Sequence, residues 1–178
     1  MKILEKLNSQ LRLLSESEKP FRNRVEVYAV QDGKLYCGKY KDGSLGVFGG
    51  GTDGEALEEA AAREFEEETG YKVKNLKKVP VDPIEVIWKD AKSDKQKKRM
   101  EDYKGTRTWF YFGEFDDSKK KDKASGDDGK HNLTDVGLKE LNDELIKSIK
   151  SDTEDDGIIK QQKTRVKVLN YIIKELDK

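Results

Sequence analysis

The stretch from Gly49 to Tyr71, GGGTDGEALEEAAAREFEEETGY, constrains this chain more than any other part of it. Gly46 and Gly49 to Gly51 punctuate an apolar run, Leu45-Gly46-Val47-Phe48, where a strand gives way to a loop. Glycines at such a turn allow positive φ and let backbone N–H groups approach a ligand closely. Between Ala56 and Thr69 there is no Pro or Gly, and Ala, Leu and Glu dominate, which predicts a helix. Gly70 then serves as a natural C-cap. Leu57, Ala61 and Phe65 form the apolar stripe that docks this helix on a core.

At 100° per residue, Glu64, Glu67 and Glu68 fall within roughly a 100° arc of one helix face. Glu58, Glu59 and Glu66 point elsewhere. Carboxylates at i, i+3 and i+4 repel one another and destabilise a helix unless a cation neutralises them. Mg²⁺ takes oxygen ligands, typically a few carboxylates together with substrate phosphate oxygens. Arg63, one turn before Glu67, is placed to orient it. The plain alternative is a solvated Glu-rich surface. Neither a Walker-type Gly-Lys-Ser/Thr ending nor a G-x-G-x-x-G spacing is present.

The spacing of Gly49, Glu55, Arg63, Glu64, Phe65, Glu67, Glu68, Gly70 and the bulky Tyr71 resembles the signature of the Nudix hydrolases. The resemblance implies an α/β fold, an α/β/α sandwich with a mixed sheet. It implies water attack on phosphorus of a P–O–P linkage in a nucleoside diphosphate derivative: a nucleoside triphosphate, dinucleoside polyphosphate, ADP-ribose or nucleotide sugar. The cofactor it implies is Mg²⁺ or Mn²⁺, held by Glu64, Glu67 and Glu68. Arg63 is an orienter, and Glu55 has a secondary role near the metal or the loop. Gly49 and Gly50 line the substrate side of the loop. In the family the general base is a box Glu or an acidic residue on a later loop, which leaves Asp127, Asp128 and Glu114 open here beside the box.

An aromatic face is expected for the base. Trp88 is the candidate, while Trp109, Phe110 and Tyr111 read as core. One departure is Phe48, which stands where many members have Pro or Gly before the box Gly. No counterpart of the downstream motifs of NADH or coenzyme A pyrophosphatases is seen, nor the Pro spacing of ADP-ribose pyrophosphatases. Two other readings stay open: a non-catalytic Nudix module that binds a nucleotide or protein, which the intact carboxylates argue against, and an enzyme acting on RNA 5′ ends.

At 178 residues the chain is expected to form one domain, residues 1–178, with an N-terminal helix before residue 20 and a C-terminal helix over 154–178. Charged residues make up 40% and the formal net charge is zero, so general nucleic-acid affinity is not expected. Two basic runs, Lys92 to Arg99 and Lys119 to Lys123, read as solvated loops or as steering for an anionic substrate, and are the sole support for RNA. Cys37 is alone, which excludes an intramolecular disulfide framework and suits a reducing compartment. It reads as packing rather than as a nucleophile. His131, the single histidine, sits in a polar stretch and excludes a His-rich zinc site. With no apolar run of membrane-spanning length and no signal-peptide pattern, a cytoplasmic location and no membrane partner are expected. Monomer and homodimer are both compatible.

Along the chain, Leu4, Leu7, Leu11 and Leu14 predict an amphipathic helix over 2–17. Strands are expected over 23–30 and 35–40, joined by an Asp32-Gly33 turn as a hairpin, and over 45–48. After the box, strands are expected over 71–81 and 84–89, separated by Pro80 and Pro83, and over the aromatic run 106–115. Residues 91–105 read as a polar basic insertion and 116–132 as a long polar loop bordering the active site. Helices are expected over 138–149 and 158–176.

Overall fold

A computed structural model of the chain describes residues 19–118, 132–151 and 156–178, together with Lys6. Apart from Lys6, the expected helix over 2–17 lies outside the described residues, as do the basic run 119–123, Asp127, Asp128 and His131.

Strand β1 (Phe21–Gln31) turns through Asp32 and Gly33, both at positive φ, into β2 (Lys34–Lys39). Positive φ at both central residues is the geometry that joins antiparallel strands by two residues, and it closes the expected hairpin. A short β3 (Leu45–Gly46) follows, then helix α1 (Leu57–Thr69), capped by Gly70. Next come β4 (Lys72–Lys78) and β5 (Ile84–Ile87). Helix α2 (Asp94–Asp102) leads to the long β6 (Gly105–Asp116). Strand β7 (Asn132–Gly137) and helices α3 (Leu138–Ser151) and α4 (Asp156–Leu176) complete the described elements.

The sheet is mixed. β1 runs parallel to β6, from Phe21 against Gly105 to Val30 against Glu114. It forks on both flanks. β2 gives its first residues to β1 and its last two to β3, and carries β7 antiparallel along its other edge. β4 and β5 each pair with a different half of β6. Into the first fork drops the glycine loop: Val25 N–H donates to Gly50 O and Val27 N–H to Phe48 O, both at 2.9 Å, and Thr52 N–H donates to Asn23 O at 3.2 Å. The loop is thereby stitched to the middle strand of the sheet.

Alternation along β1 sorts the two cores. Val25, Val27 and Ala29 face α1 and join Phe48, Ala60, Ala61, Phe65, Tyr111 and Phe115. Tyr28 and Val30 face the other way, with Leu35, Cys37, Phe110, Phe112, Leu138 and, from α4, Val168, Leu169 and Ile172. The result is the expected α/β/α sandwich. Phe65 is the anchor of α1, edge-on to Phe48 at 5.5 Å and to Phe115 at 6.3 Å between ring centroids. Cys37 is packing, as its sequence context suggests: it is buried, and desolvation pushes its thiol up to about 11.

Three segments differ from the sequence reading. Residues 94–102 are helical rather than an irregular insertion. Ser93 accepts from Gln96 N–H at 3.2 Å as an N-cap, and Lys, Gln, Arg, Met and Glu are good helix formers even without an apolar period. The polar stretch over 116–132 gives way to β7, whose short alternation is concealed by its polar residues but which pairs β2 from Lys34 to Lys39. The strand after the box ends at Lys78. Val79 N–H still reaches Phe110 O, then Pro80 lacks the N–H to continue and Val81 N–H turns back to Val79 O.

Candidate active site

The box loop and α1 meet at glycine positions with no room for a side chain. At Gly49, φ is +151° and a Cβ would lie 2.0 Å from Val25 O. At Gly50 a Cβ would fall 2.1 Å from the Glu64 carboxylate. Only glycine lets the loop run this close to the strand, and a side chain at Gly50 would push the Glu64 carboxylate aside. The Gly49 N–H uses that approach to donate to Glu68 Oε2 at 2.9 Å.

Arg63 sits at the centre of the carboxylates. Its Nε donates to Glu55 at 2.9 and 3.1 Å, Nη1 to Glu67 Oε2 at 2.9 Å, and Nη2 to Gly51 O at 3.0 Å. Nη2 also lies 3.1 Å from Glu64 Oε1. The planar guanidinium thus ties the start of the box, the loop and the helix face together, a geometry for which Arg and not Lys is suited.

The carboxylates outnumber their cation. Burial raises the proton affinity of Glu64, offset in part by Arg63, and Glu67 and Asp53 raise it further. Burial also raises that of Glu68. The Gly49 N–H and Arg24 act against this, while Glu64 and Glu67 add to it. Half-buried carboxylates that push one another toward protonation form the donor set a hard divalent cation fits, because the cation supplies the missing positive charge. Among the described residues no three His, Cys, Asp or Glu side chains converge as a ready cation cage. The reason is visible: Arg63 holds Glu67 and Glu64, and the loop N–H holds Glu68.

The remaining sequence candidates are placed as follows. Glu114 is exposed on β6, in register with Val30 and Lys74, and follows Phe110 and Phe112 on the sheet face away from α1. Trp88 lies just beyond β5, its N–H donating to Lys104 O at 3.0 Å, and does not line the cavity beside Glu68. Phe110 and Tyr111 are buried in the two cores. Trp109 is partly buried, donating to Asn23 Oδ1 at 3.2 Å under Lys78. That cavity, about 180 Å³, is lined by Arg24, Gly38, Tyr40 and residues 46–49 with Glu68. Arg24 and Tyr40 escape sequence reasoning. Their one signal is position, Arg24 two residues after Arg22 on β1 and Tyr40 at the end of β2, and nothing in the sequence says that the loop folds against both. A larger cavity, about 290 Å³, lies away from the box between the β1–β2 turn and the ends of α3 and α4.

The chain belongs to the Nudix family, the class of enzymes that hydrolyse pyrophosphate linkages: the NUDIX domain pattern matches residues 20–152. Its fold is similar to that of an ADP compounds hydrolase, at 17% identity and a TM-score of 0.56, over 90% of this chain and 75% of that one. It is also similar to a MutT NUDIX hydrolase from Burkholderia pseudomallei, at 24% identity and a TM-score of 0.47, over 68% of this chain and 86% of that one. The Bacillus subtilis pyrophosphohydrolase BsRppH matches at 21% identity and a TM-score of 0.47, over 65% of this chain and 63% of that one. At such identities the likeness speaks to fold alone. No curated protein matches the chain. Among the described residues no helix is long and apolar enough to cross a membrane.

Proposed function

We propose that this chain hydrolyses the diphosphate linkage of a nucleoside diphosphate derivative with the help of a divalent cation. The observation that carries this reading is the excess of carboxylates around Arg63, with Glu64 and Glu68 half-buried, set against a glycine loop inside a matched NUDIX domain. Glu64, Glu67 and Glu68 would hold Mg²⁺ or Mn²⁺. Bound there, the ion would neutralise phosphate oxygens and lower the pKa of water. Gly49 N–H fixes Glu68, and Arg63 fixes Glu67, Glu64 and Glu55. In hydrolysis a water oxygen bonds to phosphorus, the P–O bond to the leaving phosphate breaks with its electron pair, and the water proton passes to a carboxylate. Glu64 is the first choice for that proton, being the least exposed of the three that Arg63 touches and raised in proton affinity. Asp127 and Asp128, outside the described residues, are the competing choice.

Nucleoside triphosphates, ADP-ribose, dinucleoside polyphosphates, nucleotide sugars and capped RNA, each with Mg²⁺ and with Mn²⁺, form the deciding panel. Turnover of at least one substrate, lost on chelation, is the expected result. No turnover of any substrate with either metal removes the reading in favour of a binding module.

A further inference from the structure

Charge of the opposite sign gathers at the edge of the box. Arg24 lines the cavity that Glu68 and Gly49 close. Arg22, two residues earlier, lays its guanidinium against Gly51 of the glycine loop and ion-pairs with Asp53 at 3.1 Å. A third guanidinium comes from α2. Arg99 is half-buried, and its burial, with the charges of Arg22 and Arg24, weakens its hold on its proton; Asp53 acts the other way. The helix is docked where it must be for this: Lys19 Nζ donates to Met100 O at 2.7 Å, and Lys104 N–H to Pro20 O at 3.1 Å, just before β1 begins. Among the described residues neither Arg24 nor Arg99 forms a direct ion pair.

Guanidinium groups that repel one another, with one carboxylate among them, are held together favourably by an anion. Arg is the side chain whose fork matches phosphate. We propose that Arg22, Arg24 and Arg99 form a phosphate-binding cluster for the end of the phosphate chain remote from the box carboxylates. It selects substrates with a tri- or polyphosphate chain over those in which a diphosphate joins a nucleoside to a sugar. The assignment rests on the function proposed above and deepens it. A diphosphate is served by the box alone, whereas each further phosphate brings charge that the box carboxylates repel and the arginines attract.

The test is calorimetric titration of inorganic tripolyphosphate into the full chain, first in EDTA and then with Mg²⁺. The expected result is binding in EDTA that Arg99→Gln and Arg24→Gln each weaken about tenfold or more, with Arg24→Lys recovering part of the loss. Lys97→Gln, which removes the same charge from the exposed side of the same helix, should change binding by less than about twofold. Melting curves of each variant check that α2 remains folded. Displacement of tripolyphosphate by a nucleoside triphosphate and by a 5′-triphosphorylated RNA oligomer identifies which source of the chain the cluster accepts. The assignment is overturned by binding that requires Mg²⁺ and ignores Arg99→Gln, by equal losses in Lys97→Gln, or by displacement with neither competitor. Because the reading needs no turnover, a protein that binds tripolyphosphate through Arg99 but hydrolyses nothing loses the proposed function and keeps this cluster. One that hydrolyses its substrate without any effect of Arg99→Gln does the reverse.

Discussion

Each face of the sheet carries an arginine that reaches carboxylate, and the two are set in opposite electrostatic conditions. On the α4 face Arg165 grips one carboxylate, that of Glu26 on β1, through Nη2 at 2.6 Å and Nε at 3.2 Å, and the Tyr28 hydroxyl donates to the same carboxylate at 3.3 Å. Charge there is matched, and around it the core is apolar. On the α1 face Arg63 is shared among Glu55, Glu64 and Glu67, with Glu68 beside them held only by a backbone N–H. Charge there is in deficit. The first arrangement is complete as it stands and tethers a helix. The second lacks a matching positive charge, the gap that the cation proposed above would fill.

The largest effect should come from the unmatched face. Glu67→Gln and Glu68→Gln should each reduce turnover by roughly a thousandfold or more while leaving the fold intact, because a lost metal ligand removes several kcal/mol of transition-state stabilisation. Steady-state kinetics on the substrate found in the panel reads this, and wild-type turnover in both variants would erase the distinction between the faces. Next in size is the anchor beneath the box: Phe65→Ala should cost about 3–5 kcal/mol of stability in urea unfolding, because it empties a buried aromatic site. A cost below about 1 kcal/mol would mean that α1 is not held by its apolar stripe. On the matched face, Arg165→Met strands the Glu26 carboxylate and should destabilise by about 1–3 kcal/mol, discounted because the arginine is partly exposed. Turnover per folded molecule should stay within about twofold, which is how a tether differs from a site.

The smallest effect is in the pH dependence of the metal-free protein. Glu64 and Glu68 bind protons more tightly folded than unfolded. Their contribution to stability is therefore present below the ordinary value of 4.5 and is lost as pH rises through their raised values. In EDTA at neutral pH, Glu68→Gln should melt slightly higher than the wild type, and the difference should vanish near pH 4. A variant that melts lower at neutral pH would show that the Gly49 contact outweighs the burial cost.

The legible parts of this molecule were those governed by local rules. The box helix, its Gly70 cap, the Asp32-Gly33 hairpin and the aromatic β6 all follow from propensity, periodicity and turn chemistry acting over a few residues. So does the common face of Glu64, Glu67 and Glu68. The convergence of Arg63 on Gly51 O and Glu55 does not, because it depends on the loop bending back over the helix. Arg24 and Tyr40 were illegible for the same reason: they meet Glu68 only because the loop slots into the fork between β1 and β2. α2 is hidden in the sequence because a helix of charged residues has no apolar period, and its start is marked by a single cap residue, Ser93. Trp88 stands out by its residue type and by its place downstream of the box, and neither says which cavity it lines.

Thermal melting of the metal-free protein against added Mg²⁺ and Mn²⁺ tests the charge deficit most directly. The wild type and Glu66→Gln, whose position is on the opposite side of the helix from Glu64, should both melt higher as metal is added, while Glu67→Gln and Glu68→Gln should lose most of that rise. No metal-dependent rise in the wild type, even with a nucleotide present, or a loss in Glu66→Gln equal to that in Glu68→Gln, would contradict it.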